Sequence, residues 1–357
     1  MTVSTADTAA RRQAFRALHE SGCFVIPNPW DAGSARYLEG LGFKALATTS
    51  AGSAWRHAHA DGRLSLERVL TDLREMVTAT GLPVNADFES GFAQDAEGVA
   101  RNVRLALDTG IAGLSLEDAT GLPSNPLRDI ESSAQRIRAA RAAIDEAGGD
   151  TLLVGRAENF IVGQPDLEDT IRRLKAYSDA GADCLYAPGI STAQEISAVV
   201  AAVAPKPVNL LVGSTSSLTL DDVATLGVRR ISVGGALAQA AWGGFMEAAR
   251  TLARGRFDGF SPAAPGRELN TFFKIAEDIV PVMKAEVVGT VEYRLGEGPN
   301  EVIRPGSVEV VLSPGDATLS WSDGSWRGEA AMPFASFCRY ITAGAIVVQI
   351  SHSRAGR

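Results

Sequence analysis

The chain has 357 residues, a net charge of −8 and 45% hydrophobic residues, enough length for one large domain and a smaller one. That acidic balance argues against nucleic acid, which needs a basic face. No apolar run reaches the roughly 18 residues of a membrane span, MTVSTADTAARRQAF at the N-terminus lacks the hydrophobic centre of a secretory signal, and three cysteines without paired spacing give no disulfide framework. The expected home is a reducing cytoplasm, with no nucleic-acid or membrane partner.

From residue 23 to residue 235 a short, β-branched apolar run ending in small or polar residues is followed eight times by a helix-length amphipathic stretch. Strands are predicted over 23–28 (CFVIPN), 45–50 (ALATTS), 83–88 (PVNADF), 113–118 (GLSLED), 152–157 (LLVGRA), 184–189 (CLYAPG), 207–213 (PVNLLVG) and 229–235 (RRISVGG). They read as continuous apolar runs, the pattern of parallel strands buried on both faces. Helices are predicted over 65–80, 166–181 and 236–255, with Gly stops at or near their ends. A doubly wound open sheet could use such units. Eight of them without a break in composition favour an α/β fold closed as a (β/α)8 TIM-type barrel. Cys23 and Cys184 open two of the strands and read as core thiols.

Past Gly255 the pattern changes. A Pro/Gly linker over 257–269 precedes a predicted helix over 270–280, and then 285–295, 307–313 and 317–328 alternate apolar and polar residues, with Asp323-Gly324 as a hairpin turn. The expected organisation is a catalytic barrel over 1–256, a linker and helix over 257–283, and a small β-rich accessory module over 284–357. Trp321 and Trp326 read as a packed pair across that hairpin. The module itself reads as an oligomerisation or capping piece, or as a sensor.

Active faces of barrels are built where strands end. The residues there are acidic and polar: Asn28 and Asp31, Ser50, Asp87 and Glu89, Glu117 and Asp118, Arg156 with Glu158 and Asn159, and Asn209. Asp31 and Asn159 serve equally well as helix caps. Asp87 and Glu89 stand two apart, and the strand period turns both to one face; Glu117 ends the neighbouring strand. Converging acids raise one another's proton affinity unless a cation sits among them, and hard oxygen donors suit Mg2+, or Mn2+. The alternative is that the acids pair with Arg156, whose planar fork otherwise suits a carboxylate or phosphate. No lysine ends a strand, since Lys44, Lys175, Lys206, Lys274 and Lys284 all lie elsewhere, which argues against Schiff-base chemistry. His57 and His59, after the second strand, are candidates for an acid or base in the lid, and the Gly213-Ser214-Thr215 and Gly234-Gly235 turns match the generic phosphate site of barrels.

The segments PNPWDAGSARYLEGLGFKALATTSAGSA (27–54), DGRLSLERV (61–69), PVNADFESGFA (83–93), GLSLEDATG (113–121), GRAENF (155–160) and AGADCLYAPG (180–189) resemble the isocitrate lyase and phosphoenolpyruvate mutase superfamily. The resemblance runs over about residues 12 to 255. It implies a barrel whose eighth helix is exchanged between subunits, a homo-oligomer built as a dimer of dimers, Mg2+, and a small anionic 2-oxo acid substrate or its enolate. By motif, Ser50, Ala51 and Gly52 would offer hydroxyl and N–H groups to substrate oxygens. Asp61, Asp87, Glu89 and Glu117 would hold the metal, partly through water, and Arg156 would bind the substrate's anionic group. The loop after the fourth strand departs from the pattern. Superfamily lyases carry a Lys-Cys-Gly-His-like motif there, and mutases carry a Lys and an Asn; this chain reads ATGLPSNPLRDI (119–130), with Asn125 as the counterpart of the asparagine and no Lys or Cys. The expected activity is cleavage or rearrangement of a bond next to the carbonyl of a small 2-oxo acid, a carbon–carbon lyase first, with a phosphonopyruvate-type mutase or hydrolase, or a non-catalytic metabolite binder, as alternatives.

Overall fold

The computed structural model describes residues 4–277, 282–294, 298–323 and 326–349. Eight parallel strands, β1 (Phe24–Ile26), β2 (Leu46–Ala47), β3 (Val84–Asp87), β4 (Gly113–Glu117), β5 (Leu152–Arg156), β6 (Cys184–Tyr186), β7 (Val208–Leu211) and β8 (Arg230–Ser232), fall inside the eight predicted runs. Their order, β1-β8-β7-β6-β5-β4-β3-β2, leaves β1 and β2 as the two ends. The gap between them is bridged: the Ala47 N–H donates to the Pro27 carbonyl at 3.0 Å. Asn28 adds to the seam, donating to the Thr48 carbonyl at 2.9 Å and accepting from the N–H groups of Val233 and Gly234, each at 2.9 Å. This strand-end asparagine therefore fastens β1 to both neighbours.

The connecting helices are α2 (Ala32–Gly40), α3 (Ser50–Arg56), α4 (Leu66–Ala79), α5 (Ala96–Leu107), α6 (Ile130–Glu146), α7 (Leu167–Asp179), α8 (Ala193–Val203), α9 (Leu220–Thr225) and α10 (Ala236–Ala253), preceded by α1 (Thr5–Ala17). Helices α4 to α9 each start on a Ser, Asp or Thr whose side chain accepts the N–H three residues on, the standard way to satisfy an unpaired donor at a helix start. The sequence reading had no place for α1. Phe15 of that helix is fully buried among Ile26, Ala45, Ala112, Leu152, Val154 and Cys184. Arg12 donates to the Ile111 carbonyl at 3.0 Å, and Arg16 to the carbonyls of Gly149 and Thr151 at 3.1 and 3.3 Å. Those carbonyls precede β4 and β5, so α1 closes the end of the barrel opposite the strand termini.

The chain divides into two compact units, Met1–Ala35 with Lys44–Gly243, and Arg36–Phe43 with Gly244–Arg357. The division falls inside α10. In the second unit the expected linker contains a 3-10 turn (Asp258–Phe260) and the start of α11 (Gly266–Glu277). The strand expected over 285–295 is two, β9 (Val282–Val287) and β10 (Val291–Arg294). Gly289 lies between them, where an added Cβ would stand 2.9 Å from the Ala345 Cβ, so the close approach of Ala345 leaves no room for a side chain. After β11 (Asn300–Ile303) come β12 (Gly306–Leu312), β13 (Asp316–Asp323) and β14 (Trp326–Pro333), then α12 (Phe334–Thr342) and β15 (Ile346–Gln349), the last two unanticipated. The β13–β14 hairpin is as expected, while its turn at Gly324 and the Trp326 side chain lie outside the described residues. The main sheet runs β14-β13-β12-β9-β15, all antiparallel, and β10 pairs with β11. One face of it, with Val308, Val310, Leu312, Leu319 and Met332, forms a core with Phe272, Phe334 and Phe337. In the same unit, Tyr37 and Phe272 pack with ring centroids 5.1 Å apart. Among the described residues no helix is long and apolar enough to cross a membrane.

Candidate active site

The strand termini surround a cleft of about 140 Å³ lined by Thr48, Ser50, Ala51, Asp61, Asp87 and Arg156, together with Asn85, Ser115, Tyr186, Arg230, Ser232 and Gly234-Gly235. Asp87, Glu117 and Arg156 each end a strand. Glu117 and Arg156 are direct partners in the β4–β5 register.

Arg156 organises the acids. Its Nη1 lies 3.2 Å from Asp87 Oδ1 and 3.3 Å from Glu117 Oε2, its Nε donates to Glu158, and its guanidinium stands 5.2 Å from the centre of the Tyr186 ring. Burial disfavours the charge, but Glu158, Glu117 and Asp87 outweigh it and hold Arg156 well above the usual guanidinium range. Nε is spent on Glu158 and Nη1 on Asp87 and Glu117, so the Nε/Nη2 fork expected to grip a carboxylate is not available as such, and Nη2 remains. Glu158 is held from behind, where its N–H donates to Asp118 at 2.9 Å, and Asp118 also accepts from Arg173 at 3.0 Å and Tyr177 at 2.6 Å. Asp118, 1% exposed, thus supports Arg156 from behind.

The neighbouring acids carry more negative charge than Arg156 offsets. Glu89 is pushed up to about 8, by burial first and then by Asp87 and Asp61. Burial also drives Glu117 well above the carboxylate range, against the pull of Arg156, and raises Glu158. Asp61 is raised by burial more than its bond to the Ser50 hydroxyl lowers it. Glu89 reaches this region by a route the strand period did not describe. β3 ends at Asp87, and Glu89 follows in a tight turn with φ +44°; the turn, not alternation, brings it near Asp87.

Ser50 and Ala51 open α3 rather than ending β2, and Thr49 caps that helix. The Ser50 N–H is already bonded to Asp87 Oδ2 at 3.0 Å. Gly52 is buried behind the cleft, its N–H donated to Thr49 Oγ1 at 3.3 Å, and a Cβ there would stand 2.7 Å from Thr49 Cγ2 and 2.9 Å from Trp30 Cβ. Asn125 is exposed in a loop closed on itself, with its N–H on the Leu122 carbonyl at 3.1 Å, and it is absent from the cleft lining. His57 is tied to Asp72 at 3.0 Å, and Asp72 also accepts from Ser53 at 2.5 Å, which holds α3 to α4. Asp31 accepts the Ser34 N–H at 2.7 Å inside the start of α2, the capping alternative. Asn159 donates to Asp169 at 2.9 Å, and Asn209 to Ser232 at 3.0 Å. Of the residues not singled out from the sequence, Tyr186 ends β6 and was open to the same strand-end inventory. Arg230 was not, because it begins β8.

By donor type and surplus charge, the Asp87, Glu89 and Glu117 carboxylates, with Asp61 through water, suit a hard divalent cation. Among the described residues no three such groups form a ready cage; Arg156 takes up the space between Asp87 and Glu117.

The phosphoenolpyruvate phosphomutase family profile matches residues 15–253, more than half of the chain. The chain belongs to this family. It is an enzyme of the isocitrate lyase and phosphoenolpyruvate mutase superfamily, whose members act on small 2-oxo acids. A crystal structure of a candidate lyase/mutase from Burkholderia cenocepacia J2315 is 48% identical with a TM-score of 0.73, covering 75% of this chain and 98% of that one. Phosphonopyruvate hydrolase, solved with oxalate and Mg2+, is 28% identical with a TM-score of 0.67, covering 75% and 96%. The oxaloacetate decarboxylase of Rhodopseudomonas palustris (strain BisB18) is 33% identical over 203 residues, 54% of this chain and 68% of that protein.

Proposed function

We propose that this protein is a Mg2+-dependent enzyme, with Mn2+ as a substitute, that breaks a carbon–carbon bond next to the carbonyl of a small 2-oxo acid and so releases an enolate. The observation that carries this reading is the ring of carboxylates around Arg156 at the barrel mouth, where, among the described residues, one guanidinium answers Asp87, Glu117 and Glu158. The bound cation would supply Lewis-acid stabilisation of the negative charge on the substrate oxygens. Asp87, Glu89 and Glu117 would hold it, and Asp61 through water.

The chain's own groups do the rest. Arg156 Nη2 binds the substrate carboxylate, and Glu158 with Asp118 fixes the plane of the guanidinium so that little reorganisation is needed. The Ser50 hydroxyl, bonded to Asp61, faces the cleft and carries the proton exchanged with the substrate, while Ala51 lines the same wall. The loop after β4 has neither Lys nor Cys and folds onto itself, with the Thr120 N–H on the Pro126 carbonyl at 2.9 Å, so the superfamily's loop lysine and cysteine play no part in the step proposed. A homo-oligomer is part of the proposal, because α10 and the chain after it expose Met246, Leu252 and Phe257 at 41, 47 and 73%, apolar area that a second copy would cover.

The test is turnover of a panel of C4 to C7 2-hydroxy and 2-oxo diacids, read as release of pyruvate, glyoxylate or oxalate, with and without Mg2+. Metal-dependent release supports the reading. Tight binding of the same acids without turnover points instead to a metabolite-binding barrel.

A further inference from the structure

Among the described residues, no carboxylate answers one guanidinium buried in the barrel core. Arg230 opens β8 and is 2% exposed, yet its partners are neutral. Nε donates to Asn209 Oδ1 at 2.8 Å, while Nη1 reaches the His19 ring at 3.4 Å and Asn85 Oδ1 at 3.5 Å. The Phe15 ring lies 5.9 Å away. His19 is not a counter-ion: burial first, then Arg230 itself, pushes it down to about 3, and its Nδ1 sits 2.7 Å from the Phe15 carbonyl, which leaves the Nε2 lone pair for Arg230. The groups that favour the Arg230 charge are Cys184 and Tyr186. Both are neutral, since burial pushes the thiol up to about 11 and the phenol up to about 12.

Buried charges are normally paired, because desolvating an isolated ion is costly. Arg156 follows that rule with three carboxylates, and Arg230 follows it with none among the described residues. No acceptor is bonded to its Nη2 there either. The residue nonetheless forms part of the cleft lining, below Asp87 and beside Asn85, Ser115 and Ser232.

We propose that Arg230 makes the floor of the cleft a subsite for a compact anion, a carboxylate or a halide. The inference rests on the surroundings of Arg230 and not on the reaction proposed above. The anion has two possible sources, the second carboxylate of a bound diacid or a free inorganic ion, and both present the same single charge to Nη2.

Crystals of the full-length protein soaked in sodium bromide, with and without sodium malonate, test this through anomalous difference maps. The expected result is a bromide peak in contact with Arg230 Nη2, lost in Arg230→Met and kept in Arg230→Lys. If Arg230→Met fails to fold, the wild-type map and the lysine variant decide. Displacement of the bromide by malonate supports the subsite and assigns it to a carboxylate; persistence of the bromide supports it and assigns it to an inorganic ion. A well-ordered Arg230 with no bromide beside it at saturating salt overturns the proposal.

Discussion

Arg156 Nη1 lies 3.2 Å from Asp87 Oδ1, so a guanidinium at the end of β5 meets a carboxylate at the end of β3, two strands away. The same carboxylate accepts the Ser50 N–H at 3.0 Å. Asp87 therefore links Arg156, the α3 segment and the acid cluster. Asp87→Ala is expected to leave the barrel folded, since Arg156 keeps Glu117 and Glu158, and to abolish Mg2+-dependent oxalate binding. Calorimetric titration of oxalate with and without Mg2+ checks it, and unchanged affinity would remove Asp87 from the proposed metal site.

Arg156→Lys keeps the charge and loses the Nε bond to Glu158. A ten- to hundredfold fall in kcat/KM is expected, which corresponds to about 1.5 to 3 kcal/mol for a charged hydrogen bond. Steady-state kinetics should show the loss, with a melting temperature close to wild type. The opposite pattern, a lower melting temperature with normal kinetics, would mark Arg156 as a structural partner of Glu158.

Glu89 gives a pH signature. Its pKa rises from near 4.5 when unfolded to about 8 in the fold, so the native state binds the proton more tightly. The resulting stability is fully present below about pH 4.5 and is lost as pH rises through 8. Thermal melts from pH 5 to 8.5 without metal are expected to fall in that direction. Glu89→Gln should flatten the slope, and Mg2+ should oppose it by favouring the carboxylate. A slope unchanged in Glu89→Gln would show that other groups set it.

Removal of the second unit should cost more than the sequence suggests. A cut at Gly255 keeps all eight strands but takes Phe272 away from Tyr37, whose rings pack 5.1 Å apart, and from Gly40, where an added Cβ would stand only 2.5 Å from the Phe272 ring. Exposing that contact is expected to destabilise the remainder by about 3 kcal/mol or more, measurable by urea denaturation. A cut at Met283 falls inside β9, which pairs with both β12 and β15, and should yield aggregated protein in light scattering. A Met283 product with wild-type melting temperature and oligomeric state would show that the sheet is dispensable.

The eight strands were legible because parallel strands buried on both faces must be written as uninterrupted apolar runs, and each lies within its predicted range. Two predicted helices, over 65–80 and 166–181, begin on Ser65 and Asp166, whose side chains cap α4 and α7. Strand-end position alone nominated Asp87, Glu117 and Arg156, and the fold brings these together. What the sequence could not convey was how they share charge. Nothing in a list of carboxylates says that Arg156 spends Nε on Glu158, that Asp118 supports that bond from the other side, or that Glu89 arrives through a left-handed turn. The Asp118–Glu158 contact and the Asp87–Arg156 contact depend on side chains that meet across 40 and 69 residues of chain. Burial added the rest. The role of α1 as the closing end of the barrel, the tie of Tyr37 to Phe272, and the solitary charge of Arg230 exist only once distant segments exclude water together, and desolvation energies are properties of that packed assembly rather than of any local pattern.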